Sequence, residues 1–282
     1  MTARAASEAL HLSAQDLHRF CEFLHLRTGM RFGETKRYYI ERRVFDRIEA
    51  TGTASFGAYF DLLRTSPPEV GHVVNSFTVN ETYFYREEHQ FRCLSQDILP
   101  EIAGRKTPGD KIRIWSQPCS TGEEAYSIAL WLLENWRMVD AYNIEIVGSD
   151  IDTVALEAAK AGRYAPRSLG RLPEPVLEAY FEPLRRGRRQ IVGDLRESVT
   201  YTEANLMDRA SMTANGRFDV IFCRNVLIYF DDASRRQAVD SLYACLEPGG
   251  FVCLGHSESM SRISERFVMR RFPDAIVCQR PG

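Results

Sequence analysis

The chain has 282 residues, 44% of them hydrophobic and 26% charged, with a formal net charge of −2. This suits one large domain with an appendage, or two domains, in an ordinary soluble protein. It excludes the basic excess typical of nucleic-acid binders, and no run reaches the roughly 18 apolar residues of a membrane span. The first residues, MTARAASEALHLS, lack a signal-peptide core. Seven cysteines without C-x-x-C spacing read as buried, reduced thiols in a cytosolic protein. Six histidines without an H-E-x-x-H pattern predict no metal.

Residues 1–10 read as a frayed start. From Ser13, a good N-cap, Leu17, Phe20, Cys21 and Leu24 repeat at helical spacing up to Thr28-Gly29, a stop. A second helix is predicted from Glu34 to Ala50, ended by Thr51-Gly52. Ile40, Val44 and Ile48 form its apolar stripe, and Lys36, Arg37, Arg42, Arg43 and Arg47 make a basic face. Such a face is either solvated or docks an acidic partner. Helices from Ser55 to Leu63 and from Pro67 to Phe77 complete a small all-helical domain, 1–77.

Residues 78–90 carry three consecutive aromatics, Tyr83, Phe84 and Tyr85, where a plain linker would carry Gly, Ser or Pro. The segment reads as ordered against a pocket, with Asn80, Thr82 and Arg86 as polar handles. The aromatics also suit cementing the two domains. A helix from His89 to Ile102 and a turn at Thr107-Pro108-Gly109-Asp110 lead into the remainder, 91–282.

Lys111 to Leu132 organises that remainder. An apolar run through Ile112, Ile114 and Trp115 predicts a buried strand, and helical spacing begins at Gly122. The intervening loop lacks G-x-G-x-x-G, and Glu123 and Glu124 stand where a phosphate would be repelled. The loop suits a ligand with a cationic group, or the two acids simply complement the helix dipole. Asn143–Val147 predicts a second strand with Asp150 at its tip, where a carboxylate takes two ribose hydroxyls; Asp152 caps the next helix.

Proline-punctuated residues 163–198 break the rhythm and predict a small β insertion with a basic hairpin. The sheet resumes at Val199–Thr202. Asn205 after it bonds an adenine edge or turns the chain. Phe218–Cys223 is a strand followed by Arg224-Asn225, and Val226–Phe230 is an apolar continuation. A helix from Ser234 to Leu246 ends at Glu247-Pro248-Gly249-Gly250, Phe251–Gly255 is a strand, and an antiparallel hairpin closes the chain.

This order of parts resembles the Rossmann-like class I fold of S-adenosylmethionine-dependent methyltransferases, an α/β fold. More narrowly, N-E-T-x-F at Asn80–Phe84, S-T-G-E-E at Ser120–Glu124, D-I-D at Asp150–Asp152 and C-R-N-V-x-I-Y-F at Cys223–Phe230 resemble CheR-type chemotaxis-receptor methyltransferases. The resemblance implies transfer of methyl from S-adenosylmethionine to receptor glutamates, with S-adenosylhomocysteine as product. It implies that Asn80, Thr82 and Arg86 touch the cofactor, Glu123 or Glu124 its amino group, and Asp150 its ribose. Asn205, Leu206, Arg224 and Asn225 line its adenosine and methionine parts, and Arg86 and Tyr229 lie nearest the methyl. The implied partner is the cytoplasmic signalling domain of chemoreceptors, met by a monomer recruited to membrane arrays without insertion. The basic helix would dock there, and the short hairpin between Phe181 and Val199 points to independence from a receptor C-terminal pentapeptide. Gln117-Pro118, Ala125 and Tyr85 depart from the family pattern. A non-catalytic cofactor sensor is opposed by Arg86 and Tyr229. A nucleic-acid methyltransferase is opposed by Arg224-Asn225-Val226-Leu227 standing in place of an N/D-P-P-Y/F segment.

Overall fold

The computed structural model of the chain describes residues 11–282, the Glu34 side chain excepted, and divides into two compact units. The expected frayed start at residues 1–10 lies outside the described residues.

The first unit comprises residues up to Val79 together with Tyr229–Ser234. Helix α1 (Ala14–Thr28) begins where Ser13 Oγ accepts the Asp16 N–H, and Gly29 closes it with φ 72°. A 3-10 turn (Glu34–Lys36) precedes α2 (Arg37–Thr51), and α3 (Phe56–Thr65) and α4 (Pro67–Phe77) follow. Phe20, Ile40, Val44, Tyr59, Leu63 and Phe77 form the unit's core. Beneath it, Glu69 accepts from Tyr59 Oη at 2.8 Å and from Arg47 Nε and Nη2 at 2.9 and 2.6 Å. The segment Tyr229–Ser234 joins this unit through an antiparallel bridge between Met30 and Phe230 and an ion pair of His25 with Asp231 at 3.1 Å.

The second unit is built on a seven-stranded sheet. Its strands are β1 (Lys111–Ser116), β2 (Asn143–Asp150), β6 (Val199–Glu203), β7 (Phe218–Cys223), β8 (Leu246–Leu254), β9 (Val268–Arg271) and β10 (Ile276–Gln279). Their order is β6-β2-β1-β7-β8-β10-β9, parallel from β6 to β8 and antiparallel in the last two. The chain leaves β1 towards β2 and returns to its other side as β7, so the order reverses between β1 and β7. In open α/β sheets the ligand crevice lies at such a point, beyond the strands' carboxyl ends. Helices α5 (Glu88–Cys93), α6 (Leu99–Ala103), α7 (Glu123–Asn135), α8 (Thr153–Ala161) and, beyond β7, one from Asp232 to Ala244 accompany the sheet. Ile112, Ile114, Ile128, Val220, Phe222 and Phe251 lie in its core, each such side chain contributing about 1.5–3 kcal/mol of burial. The insertion folds as the separate sheet β3 (Arg163–Tyr164), β5 (Arg189–Ile191), β4 (Phe181–Pro183), with short helices around it. All seven cysteines are free thiols, six of them buried.

Local expectations differ from the structure at four places. The helix predicted from His89 to Ile102 contains a π turn, Leu94–Ile98, directly before Pro100, which cannot donate to a preceding carbonyl. Glu247-Pro248-Gly249-Gly250 is not a turn between elements but an irregularity inside β8. Leu246 pairs with Phe218 and Phe251 with Val220, while Gly249 N–H donates to the Arg280 carbonyl. Val226–Phe230 does not extend β7 but coils into a 3-10 turn, Leu227–Tyr229. A short helix, Arg209–Thr213, was not anticipated; Asp208 caps it through the Ala210 N–H.

Candidate active site

The loop after β1 is tightly packed. Gly122 has φ 94°, and a Cβ there would sit 2.7 Å from Tyr201 Oη and 2.8 Å from Ala159 Cβ, so only glycine opens α7 at this point. Ser120, at φ 50°, donates its N–H to Asp150 Oδ2 at 2.8 Å and its hydroxyl to Asn80 Oδ1 at 2.8 Å. Asn80 Nδ2 in turn donates to Asp152 Oδ2 at 2.8 Å. Asp152 N–H donates to Asp150 Oδ1 at 2.9 Å, and Asp152 Oδ1 caps α8 at Val154 and Ala155. These bonds aim the buried Asp150 carboxylate, and each oxygen keeps acceptor capacity for a further donor. Burial pushes its pKa up to about 6, against the pull of the Asp152 and Ser120 amides.

The other wall is centred on Arg224, buried at the end of β7. Its Nη1 donates to Glu124 Oε2 at 2.9 Å and its Nη2 to the Arg86 carbonyl at 2.5 Å, and Glu87 lies 3.3 Å away. Glu124 Oε1 accepts from Ser116 Oγ at 2.8 Å. Burial raises the Glu124 pKa, with Arg224 opposing. Burial also acts to raise the Glu87 pKa, but Arg224 and His256, whose Nδ1 is 2.8 Å away, hold it below the usual range. Arg86 is flanked by two non-glycine residues in left-handed backbone, Tyr85 at φ 57° and Glu87 at φ 58°. This costs of order 1–3 kcal/mol each and turns the segment sharply where its side chain is presented. Arg86 Nη1 donates to the Glu81 carbonyl at 2.8 Å, and the Tyr83 ring lies 5.8 Å from its guanidinium.

Of the two neighbouring acids, Glu123 accepts from Thr121 Oγ1 at 2.6 Å and interacts with Ser168 of the insertion. Glu124 faces Arg224. Asn205 Oδ1 accepts the Met207 N–H at 2.9 Å, which realises its turning role, and Leu206 is buried beside it. Asn225 adopts φ 59° next to Arg224, and Thr82 is half-buried. Tyr229 is 38% exposed and belongs to the first unit's segment. The carboxylates of Glu87, Glu123, Glu124, Asp150 and Asp152 thus stand at this end of the sheet with the guanidinium groups of Arg86 and Arg224.

Residues 15–78 match the family described as CheR methyltransferase, all-alpha domain, and residues 80–276 match CheR methyltransferase, SAM binding domain. The chain belongs to the CheR methyltransferase family. It is 49% identical to chemotaxis protein methyltransferase 2 of Vibrio cholerae, over 91% of this chain and 90% of that protein. It is 35% identical to chemotaxis protein methyltransferase 2 of Pseudomonas aeruginosa, over 92% and 91%. The fold is the class I methyltransferase α/β fold with an all-helical N-terminal domain. Within the described residues no helix is long and apolar enough to cross a membrane.

The crevice fits the cofactor that the CheR domain description names. Asp150 and Glu124 present carboxylates, the chemistry that suits a donor-rich, cationic ligand, and among the described residues Gln117 Oε1 and Arg224 Nε are buried without hydrogen-bond partners. Sequence reasoning did not single out Glu87, His256 or Glu258, and it named Gln117 only as a departure from the family pattern. The run Gly255-His256-Ser257-Glu258 directly after an apolar strand was the available signal. The basic face of α2 is less available than expected. Arg47 is bound to Glu69, Arg37 pairs with Glu41 at 2.9 Å, and Arg43 donates to the Ser76 carbonyl and stacks on Tyr39 at 3.5 Å. Lys36 and Arg42 remain exposed.

Proposed function

We propose that the chain methylates specific glutamate side chains on the cytoplasmic signalling region of chemoreceptors, forming γ-methyl esters and S-adenosylhomocysteine. The observation that carries this reading is the acid-rich crevice at the β1/β7 reversal, bounded by Asp150 on one side and the Glu124–Arg224–Glu87 chain on the other, in a chain of this family. S-adenosylmethionine, when bound, supplies an activated methyl on a positively charged sulfur.

A glutamate acceptor is already ionised at neutral pH, so no residue has to remove a proton from it. The chain's own task is to orient and to dry. Asp150 would take the ribose and Glu124 the methionine ammonium. Asn80, Thr82, Asn205, Leu206, Arg224 and Asn225 would shape the remaining wall. Arg86 would orient the incoming carboxylate and Tyr229 position it through its hydroxyl, for in-line attack from about 3 to 3.5 Å. Arg86 suits this role because, among the described residues, its guanidinium is held by the Glu81 carbonyl and by no carboxylate, so it does not have to break an ion pair.

Receptor docking through the first unit would rest on Lys36 and Arg42. Recognition of a C-terminal pentapeptide by strand addition is disfavoured, because β4, an edge strand of the insertion sheet, has three residues and one of them is Pro183, which has no N–H to donate. The test is transfer of radiolabelled methyl to receptor-bearing membranes, followed by mild base. Label released as methanol is the expected result. Label absent, or resistant to base, would overturn the proposal.

A further inference from the structure

The loop that follows β8 carries a carboxylate with an unusual set of partners. Glu258 Oε2 accepts the N–H groups of Gly255 at 2.8 Å and Asn225 at 2.9 Å. Its Oε1 accepts those of Val226 at 2.9 Å and Leu227 at 2.7 Å. One side chain thus satisfies four backbone donors, three of them in the turn leaving β7. Among the described residues no other acceptor takes those three amides, and unpaired they would each cost about 1–3 kcal/mol. The loop packs closely here: a Cβ at Gly255 would lie 2.7 Å from Asn225 Nδ2, 2.9 Å from Glu258 Oε2 and 3.0 Å from Asn225 N.

The residue held in place is Asn225, left-handed at φ 59°. Asparagine tolerates that conformation better than most non-glycine residues, and the amides on either side of the bend are tied to one carboxylate. Its neighbour Arg224 reaches Glu124, Glu87 and the Arg86 carbonyl, and so joins segments that are distant in sequence. Two residues before Glu258, His256 binds Glu87, the second carboxylate of that arginine. The post-β8 loop therefore grips the Arg224 wall twice, through its backbone and through its partner.

We propose that Glu258 is a positioning residue of the cofactor site, gathering the Asn225–Leu227 amides so that Arg224 and Asn225 face the crevice in one fixed arrangement. This rests on the methyltransferase reading above. It assigns Glu258 no contact with the reacting atoms; its effect passes through the Arg224–Glu124 and Arg224–Glu87 pairs.

The test compares the full chain with Glu258→Gln, which keeps the shape but replaces two acceptor oxygens by one and an NH2. Calorimetry with S-adenosylhomocysteine should show affinity weakened about 10- to 100-fold, the range for lost hydrogen bonds to a charged group. The cofactor KM should rise with it while the receptor KM stays within about twofold, a split that general destabilisation does not produce. Amide hydrogen exchange should accelerate at Asn225–Leu227 and not in β2 or β6. Unchanged affinity with unchanged exchange would overturn the proposal. Should Glu258→Gln not unfold cooperatively, Glu258→Asp decides by the same readouts. Should neither variant fold, Glu258 is a general folding element and the positioning role is refuted. If the unmutated chain itself bound no S-adenosylhomocysteine, the functional reading would fail instead, and the exchange measurement alone would judge the clasp.

Discussion

Asp150 has the most direct pH signature. Its carboxyl is raised by burial to about 6, above the ordinary value of about 3.9. A raised acid favours the folded state at low pH, and that contribution is lost as pH climbs through 6. The ionised form, by contrast, is the better acceptor for ribose hydroxyls. Affinity for S-adenosylhomocysteine should therefore fall as pH drops below about 6, while apo stability does not fall with it through this group. Calorimetry across pH 5–8 checks this, and Asp150→Asn should bind weakly with a flat profile in that window. The two adjacent acids are separable in the same assay. Glu124→Gln should weaken binding about 10- to 100-fold, the range for charge-assisted bonds, and Glu123→Gln by no more than about threefold, because Glu123 turns to Thr121 and Ser168. Arg86→Ala should lower kcat about 100-fold, the cost of misplacing a reactant, with melting temperature nearly unchanged because its one hydrogen bond is to a carbonyl at the surface. Normal turnover in a folded Arg86→Ala variant would remove it from the chemistry.

At the scale of elements, α2 behaves as a structural helix before it behaves as a docking one. Arg47 neutralises the buried Glu69, whose burial acts to raise its pKa until Arg47 and Tyr59 pull it below the usual range. Arg47→Ala strands that charge and should cost about 3–5 kcal/mol, read by denaturant unfolding. Reversing Arg43 and Arg47 would therefore confuse docking with folding. Lys36→Glu and Arg42→Glu are the cleaner pair, expected to raise the receptor KM and leave S-adenosylhomocysteine affinity intact. The elements that the sequence announced are those whose signals are local. Ser13, Ser55 and Asp152 cap the helices they precede, and Gly29 and Gly52 close theirs. The elements it hid depend on distant partners. The Pro248-Gly249-Gly250 run reads as a turn until Arg280 is seen to supply its pairing. Val226–Phe230 reads as a strand until the Glu258 carboxylate is seen to collect its amides.

At the scale of the whole chain, the succession of strands and helices was legible because each βα unit carries its own period and its own loop chemistry, whereas the order of strands in the sheet comes from the structure. The candidate site residues Glu123, Glu124, Asp150 and the Arg224-Asn225 pair were locally visible because they end or follow strands β1, β2 and β7. The wiring between them was not. Glu87, Glu124, Arg224 and His256 are separated by between 32 and 169 residues (for example 256 − 224 and 256 − 87), and only the folded sheet brings them together. Nothing local distinguished Glu124 from Glu123, since both stand in the first turn of α7; the distinction comes from Arg224, which arrives from β7. The account as a whole depends on this crevice holding a positively charged methyl donor. Titrating S-adenosylmethionine and S-adenosylhomocysteine into the purified chain by calorimetry tests that most directly. Saturable binding of both at one site per chain, lost in Asp150→Asn and Glu124→Gln, is the predicted result; no heat of binding from a correctly folded chain would contradict it.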